Sequence, residues 1–192
     1  LLTSNGYQEV RWGYEMQRLI DAPLPNAPMP DGLETRPVQE QHYRLIWEAQ
    51  NEAFRDHWGH SERTEEEYQR WISDPITFRP DLWKVAWDGD QVAGMVLNFL
   101  NEEENAEYKR QRGYTEFISV RRPWRQRGLA KSLLVQSIQM FQELGFEETV
   151  LGVDMQNQNH ALNLYENVGY KIERKSTVYR KPLILHLDDL HT

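Results

Sequence analysis

The chain has 192 residues, a formal net charge of −8 and no cysteine. The absence of cysteine excludes disulfide bonds, thiolate metal sites and a cysteine nucleophile, and the negative charge argues against a nucleic-acid partner. Hydrophobic residues make up 39% of the chain, but no apolar run approaches the roughly 20 residues of a membrane span. We therefore expect a cytoplasmic domain with a substantial core, without a signal peptide or a membrane segment.

Two features precede the main domain. Residues 1–20 contain NGYQEVRWGYEMQR, which resembles VGYKIERKSTVYRK near the C-terminus in its Gly-Tyr pair and in an arginine four residues later. We interpret residues 1–20 as the tail strands of a preceding, related domain, with a coincidental match as the alternative. Residues 21–32 contain APLPNAPMPDG, whose four prolines are typical of an extended linker. Residues 33–192 then form the main domain.

The main domain is predicted to begin with a strand and two helices. Residues 33–38 are predicted to form the strand. Residues 39–54 carry apolar side chains near helical spacing and form the first helix. Residues 64–73 form the second helix, in which Thr64 is the N-cap and Glu67 completes a capping box.

A hairpin and a charged connection follow. Two β-rich runs flank Asp88-Gly89-Asp90, which predicts a tight hairpin turn. Residues 101–113, NEEENAEYKRQRG, are predicted to form a solvated loop. The alternative is that the four glutamates of this segment attract a cationic ligand.

The rest of the chain alternates strands and helices. The predicted elements are a strand over 114–120, a helix over 128–144, a strand over 149–153, a helix in NHALNLYENV, and terminal strands in YKIERK and TVYRKPL. Gly145 and Gly169 are predicted to end the two helices. The strand-helix-strand unit requires a parallel pair, whereas the hairpin requires antiparallel neighbours. We therefore predict an α/β chain with a mixed, mostly antiparallel twisted sheet, a central parallel pair and helices on both faces.

Positive charge is concentrated in RRPWRQRGLAKSLL, residues 121–134, where four arginines fall within seven positions before an apolar helix. A helix N-terminus offers unpaired N–H groups, and a glycine there lets an anion approach the backbone closely. Neighbouring arginines add charge-assisted hydrogen bonds. The segment therefore suits a phosphate or diphosphate, with a basic surface turn as the alternative. It matches neither a Walker loop nor a dinucleotide fingerprint.

Two motifs carry a family resemblance. Arg125-x-x-Gly128-x-Ala130 resembles the acetyl-CoA signature of the GNAT N-acetyltransferases, and NQNHALNLYENVGY (157–170) resembles their later signature. The resemblance covers residues 33–183 and implies the GNAT fold and direct transfer of an acetyl group from acetyl-CoA to a small-molecule amine, without a metal. A narrower resemblance, through NEAFRDHWG and the suspected tandem layout, is to the bacterial tandem group that includes mycothiol synthase, and it implies a sister domain or a homodimer.

The resemblance also implies contacts with acetyl-CoA. The diphosphate would lie on the backbone amides of residues 126–131, and the end of the central strand would contact the pantetheine arm. Two asparagines would contact the cofactor or cap the following helix. The cofactor-binding residues are then Ile118, Ser119, Val120, Arg125, Gln126, Arg127, Gly128, Leu129, Ala130, Lys131, Asn157 and Asn159.

Two residues are assigned catalytic roles through the same resemblance. Tyr165 would protonate the departing thiolate, and its alternative role is that of a core aromatic. Glu116 would accept the proton of the attacking ammonium, because strict strand alternation places it on one face with Ile118 and Val120. The alternative for Glu116 is a solvated strand carboxylate.

The remaining candidates concern the acceptor. His57 and His60 are expected to end a helix or contact the acceptor, since nothing else near them has metal-ligand spacing. Trp58, Trp71 and Trp83 are expected in the core. Two other functions stay open, namely acetylation of a protein or peptide and non-catalytic binding of CoA as a sensor.

Overall fold

A computed structural model describes residues 1–55, 63–154 and 161–182 of the chain. The residues discussed at positions 57, 58, 60, 157 and 159 lie outside the described residues. Within the described ranges the strands are β1 (Gln8–Leu19), β2 (Glu34–Thr35), β3 (Lys84–Asp88), β4 (Gln91–Phe99), β5 (Arg112–Val120), β6 (Glu148–Asp154) and β7 (Lys171–Arg180). The helices there are α1 (Tyr43–Ala53), α2 (Glu65–Ile72), α3 (Glu102–Tyr108), α4 (Leu129–Glu143) and α5 (Ala161–Val168).

The described strands form one sheet in the order β2-β3-β4-β5-β6-β1-β7. The central neighbours β5 and β6 are parallel and are joined through α4. The other neighbouring strands are antiparallel. The predicted mixed sheet with a central parallel pair is therefore confirmed.

Helices cover both faces of the sheet. Ile46 of α1 packs with Met95 and Leu97 in one buried cluster. Leu133 of α4 packs with Val96 in a second cluster on the opposite face. Because neighbouring residues of β4 point to opposite faces, a nearly continuous apolar run is buried from both sides. This confirms the prediction that helices lie on both faces of the sheet.

The N-terminal strand lies inside this sheet. β1 pairs with β6 on one side and with β7 on the other, and Tyr14 lies opposite both Val153 and Lys175. The alternation of apolar and polar residues in the sequence did not predict that residues 8–19 lie between β6 and β7. Their origin in a preceding domain stays a prediction, but in this structure the strand completes the sheet described here.

The proline-rich segment at 21–32 has no helix or strand. The buried guanidinium of Arg18 holds its start, because it donates to the carbonyl oxygens of Ala22 at 2.7 Å and Pro23 at 3.0 Å. Leu24 and Met29 pack against the core beside α4. The segment is therefore bound along the domain surface.

The charged segment at 101–113 corrects one prediction, because it contains α3 and not a loop. Asn101 caps the helix by accepting the N–H of Glu104 at 3.1 Å. The Glu104 carboxylate also accepts hydrogen bonds from Tyr114, at 2.6 Å, and from Arg110. The segment carries no strong apolar periodicity, and these tertiary contacts stabilise the short helix.

Local signals elsewhere are confirmed, with two further corrections. Thr64 and Glu67 form the capping box of α2, and the hairpin turn lies between β3 and β4. Gly145 has a φ of 81° just after α4, as a helix-ending glycine requires. The first predicted strand shortens to β2, and the two predicted terminal strands form the single strand β7.

Candidate active site

The parallel strands at the centre of the sheet diverge. β5 and β6 pair only where residues 112–114 lie opposite residues 148–150, although both strands continue. Beyond that point, Thr115 donates to the carbonyl of Val150 at 3.2 Å. The backbone of β5 from residue 116 onward is therefore not paired with β6, which leaves a strand edge at the carboxyl end of the sheet, where α/β folds bind ligands.

A β-bulge interrupts β5 beside this opening. Met95 of β4 lies opposite Ser119, and Leu97 lies opposite Glu116, so one extra residue is present in β5. Phe117 sits at the bulge with a φ of 49°, an uncommon conformation for a non-glycine residue. Such conformations concentrate at functional sites, where the surrounding structure maintains them.

The bulge corrects the predicted orientation of Glu116. Directly opposite residues of paired strands point to the same face. Glu116 and Ser119 therefore share the face of Met95 and Leu97, on the α1 side of the sheet. Ile118 packs against the other cluster, on the α4 side. Strict alternation was wrong here because the extra residue inverts the pattern.

The loop before α4 forms a row of unpaired amides. Gln126 and Gly128 have φ values of 61° and 83°, and Gly128 caps α4 without a side-chain hydrogen bond. Within the described residues, no backbone N–H of residues 126–131 donates a hydrogen bond. Alternating backbone handedness of this kind makes an anion-binding concavity, and the helix dipole strengthens it.

The arginines around this loop mainly brace it. Arg121 donates to Glu52 and to the carbonyl of Val92, at 2.8 and 2.9 Å. Arg125 donates to the carbonyl of Val120 at 3.0 Å, and Arg127 donates to that of Asp31 at 2.7 Å. The backbone amides, more than these guanidinium groups, therefore supply the anion-binding capacity.

Glu116 occupies the gap between the diverging strands. Its Oε1 accepts the N–H of Gly152 at 2.9 Å, and a Cβ added at Gly152 would make only an ordinary contact with that oxygen, at 3.4 Å. Burial raises the pKa of Glu116 to about 7, the Gly152 hydrogen bond opposes this shift, and the charge of Glu15 adds to it. A carboxyl group with this pKa can exchange a proton at neutral pH.

Tyr165 of α5 is buried in the cluster on the α4 side. Burial raises its pKa above the ordinary value, and the charges of Glu116 and Tyr170 raise it further. Its hydroxyl makes no hydrogen bond to another described residue, whereas the Tyr170 hydroxyl contacts those of Thr115 and Thr149, at 2.8 and 2.9 Å. The Tyr165 phenol thus keeps its proton at neutral pH and has no competing partner in the described ranges.

A cavity of about 410 Å³ opens beside the bulge. α1 contributes Trp47 and Gln50 to its wall, α2 contributes Arg70 and Trp71, and β5 contributes Phe117. Trp71, expected only in the core, both stacks on Trp83 at 5.2 Å and lines this cavity. The residues that line this cavity were not predicted as a site, because they come from three separate elements and from the turns beside them.

A second and larger cavity, of about 640 Å³, lies at the opposite end of β5 and β6. Lys109, Gln111 and Glu147 contribute to its lining, just before those strands begin. It is far from the bulge and the free amides, so its greater volume does not make it the active site.

Two kinds of feature are absent from the described ranges. None of the helices there is long and apolar enough to cross a membrane. No three histidine, aspartate or glutamate side chains lie where they could hold a metal ion in those ranges.

Comparisons with known proteins agree with this geometry. The chain is similar over 94% of its length, with 28% identity and a TM-score of 0.76, to a GCN5-related N-acetyltransferase from Sphaerobacter thermophilus, and it spans about half (54%) of that chain. A soil metagenomic aminoglycoside acetyltransferase, in complex with sisomicin, has 18% identity and a TM-score of 0.59 over 80% of this chain and 98% of its own. A tandem GNAT protein from the clavulanic acid pathway has 10% identity and a TM-score of 0.64 over 92% of this chain and 55% of its own.

These last two similarities show the fold alone. Among curated proteins, no sequence match to the chain is found. The model of the acetyltransferase (GNAT) family matches residues 43–170, from the start of α1 to the residue before β7. This match covers more than half of the chain and includes the bulged strand, the free amides and Tyr165. The chain therefore belongs to the GNAT acetyltransferase family.

Proposed function

We propose that this chain transfers an acetyl group from acetyl-CoA directly to the amine of a small molecule. The proposal rests on two unpaired backbone surfaces that lie near each other at one end of the sheet. One is the edge of β5 beyond its pairing with β6, and the other is the row of amides at residues 126–131. A long substrate with a diphosphate at one end and amide groups along its arm suits both surfaces.

The chain's own residues fit acetyl-CoA at this site. The amides of residues 126–131 would hold the diphosphate. The free edge of β5, at Ile118, Ser119 and Val120, would pair with the pantetheine amides as a neighbouring strand does. Ser119 Oγ is buried without a hydrogen-bond partner among the described residues, so a polar group could still be accommodated there. The roles of Asn157 and Asn159 remain predictions.

Proton transfer would rest on two residues beside the gap. Glu116 would accept the proton that the attacking ammonium loses, directly or through water, because its pKa of about 7 suits a base at neutral pH. The amine nitrogen then forms a bond to the thioester carbon, and the carbon–sulfur bond breaks. Tyr165 would give its proton to the departing thiolate, since its raised pKa keeps the phenol protonated until that thiolate develops.

The cavity beside Phe117 supports a small acceptor. Its volume of about 410 Å³ matches pockets for small molecules, and it opens at the bulge. A protein or peptide acceptor remains the alternative, as does a CoA sensor without turnover. Release of CoA with a panel of free amines, but not with lysine-containing peptides, would distinguish the main proposal from both.

Calorimetric titration with CoA tests the cofactor site separately from turnover. Ala130→Asp places a carboxylate in the first turn of α4, where a negative charge stabilises the helix but repels a bound diphosphate. We expect unchanged or higher thermal stability and a loss of CoA affinity of at least tenfold. Ala106→Asp on the exposed surface of α3 is the matched control and keeps the affinity. Equal CoA binding by the wild type and Ala130→Asp would refute the assigned diphosphate site.

A further inference from the structure

The cavity beside the bulge contains acidic residues that are already engaged by the backbone. Glu67 accepts the N–H of Thr64 at 2.7 Å as part of the α2 capping box. Asp74 accepts the N–H groups of Ile76 and Thr77, at 2.9 and 2.8 Å, in the turn after α2. These hydrogen bonds occupy one oxygen of each carboxylate, and the charge of Glu67 also acts on Arg63.

The basic residues of the same cavity have free donors. Arg63 lies over the ring of Trp47, 4.9 Å from its centroid, and donates one hydrogen bond to Gln50, at 3.2 Å. In the described part of the chain, Arg70 makes neither an ion pair nor a side-chain hydrogen bond. Each guanidinium has five N–H donors and no acceptor. The cavity therefore has unused donors for an anion.

We propose that the amine accepted by this chain also carries an anionic group, a carboxylate or a phosphate, which Arg63 and Arg70 bind in this cavity. The inference rests on the proposed function, because the amine must reach the bulge at Phe117 while its anionic end lies between the arginines. Arginine binds both anions through paired N–H donors. The faces of Trp47 and Trp71 would contact the apolar part that joins the two ends.

This arrangement disfavours polycationic acceptors. A molecule such as sisomicin would bring ammonium groups next to Arg63 and Arg70, which form no ion pair with a described carboxylate, although the charge of Glu67 acts on Arg63. The net charge of −8 does not alter this conclusion, because charges farther than about 8 Å are largely screened at physiological salt. The cavity lining holds two arginines and two carboxylates, so the free guanidinium donors, and not a net charge, favour an anionic acceptor.

The test compares acceptors that differ only in the anionic group. The panel contains amino acids of increasing chain length, from glycine to 6-aminohexanoate, and each is compared with its neutral carboxamide. Phosphoethanolamine is likewise compared with ethanolamine. Sisomicin and spermidine represent polycations. We expect kcat/KM to be at least tenfold higher for at least one anionic member than for its neutral partner, and the carboxylate and phosphate arms show which anion is preferred. Preference for the neutral partners or the polycations would overturn the inference.

Substitutions identify the residues responsible. Arg63→Ala and Arg70→Ala should each raise KM for the preferred anionic acceptor roughly 10- to 100-fold, because a hydrogen bond to a charged group is lost. Each change should raise KM for the neutral partner by a smaller factor, because only the anionic acceptor loses a hydrogen bond to a charged group. Arg44→Ala is the matched control, since Arg44 also lies over an aromatic ring, that of Tyr68 at 3.6 Å, but does not line the cavity. An equal effect of all three changes would contradict the assignment.

Binding without turnover separates this inference from the proposed function. Trp47 and Trp71 line the cavity, so tryptophan fluorescence should report a bound acceptor in the absence of acetyl-CoA. Anion-dependent quenching that Arg63→Ala weakens would support the anion site even in a chain that releases no CoA. If CoA binds and is released with amines but no panel member shows anion-dependent binding, the proposed function stands and the anion inference fails.

Discussion

Replacing Glu116 by glutamine removes a carboxyl group whose protonation is coupled to folding. In the folded chain, burial between the diverging strands raises its pKa from 4.5 to about 7. In the unfolded chain the carboxyl group is in water and keeps its ordinary pKa. Between these two values the folded state binds a proton that the unfolded state has lost. The wild-type free energy of unfolding must therefore fall as the pH rises through this range.

The size of this loss follows from the pKa difference. One unit corresponds to about 1.4 kcal/mol, so Glu116 destabilises the folded chain by up to about 3 kcal/mol above pH 7 relative to pH 4.5. Glutamine keeps an oxygen that can accept the Gly152 N–H, and it does not titrate. The stability of Glu116→Gln relative to the wild type should therefore increase by up to about 3 kcal/mol as the pH rises.

Urea unfolding of both proteins at half-unit steps from pH 4.5 to 8 measures this difference. Subtracting the two curves cancels the titration of the other carboxyl groups. The matched control is Glu107→Gln, at an exposed position of α3, which should change stability by less than about 0.5 kcal/mol throughout. In parallel, kcat/KM of the wild type should fall tenfold per unit below pH 7, as the base becomes protonated.

Two outcomes of this experiment would contradict these assignments of Glu116. A stability difference between Glu116→Gln and the wild type that does not change with pH would show that the carboxyl group is not buried as described. If the difference has the expected pH dependence but Glu116→Gln keeps full activity, the carboxyl group is desolvated but is not the base.

Three further substitutions test the site and the core. Tyr165→Phe should lower kcat roughly 100-fold or more while leaving CoA binding and stability nearly unchanged, since its hydroxyl bonds no described residue; a wild-type rate by thioester assay would exclude the acid role. Gly128→Ala should lower the free energy of unfolding, measured by thermal unfolding, by about 1 kcal/mol, because alanine is strained at a φ of 83°. This loss comes from backbone strain alone, since no atom lies within 4 Å of the added carbon. Gly113→Ala should lower the free energy of unfolding by about 1–3 kcal/mol, because the added carbon would lie 2.6 Å from Phe141. Adding Phe141→Leu to the same chain should restore part of this loss. If the effects of the two substitutions simply add, there is no clash between these residues.

Several parts of the fold could be predicted because their signals are local. The capping box at Thr64 and Glu67 satisfies backbone donors within one turn. The hairpin turn at Gly89 and the end of α4 at Gly145 depend on glycines with positive φ. The apolar periodicity of α4 specifies a buried helical face. None of these features requires a distant partner.

The site was only partly predictable. The anion-binding role of Gly128 and the start of α4 were predicted from adjacent residues. Gly152 was not among the predicted site residues. An isolated glycine inside a strand signals the close approach of another group, and here that group is the Glu116 carboxylate. The cavity residues Arg63 and Trp47 carried no comparable signal, because each has an ordinary local sequence.

Local sequence was sufficient to predict the elements whose hydrogen bonds close within a few residues, and it contained the motif that indicated the family. The position of β1 in the sheet, the bulge of β5 at Phe117 and the face that Glu116 occupies became known from the three-dimensional packing alone. The physical reason is the range of the interactions. Strand pairing and bulges depend on partners that are distant in the chain, and one inserted residue reverses every side chain that follows it.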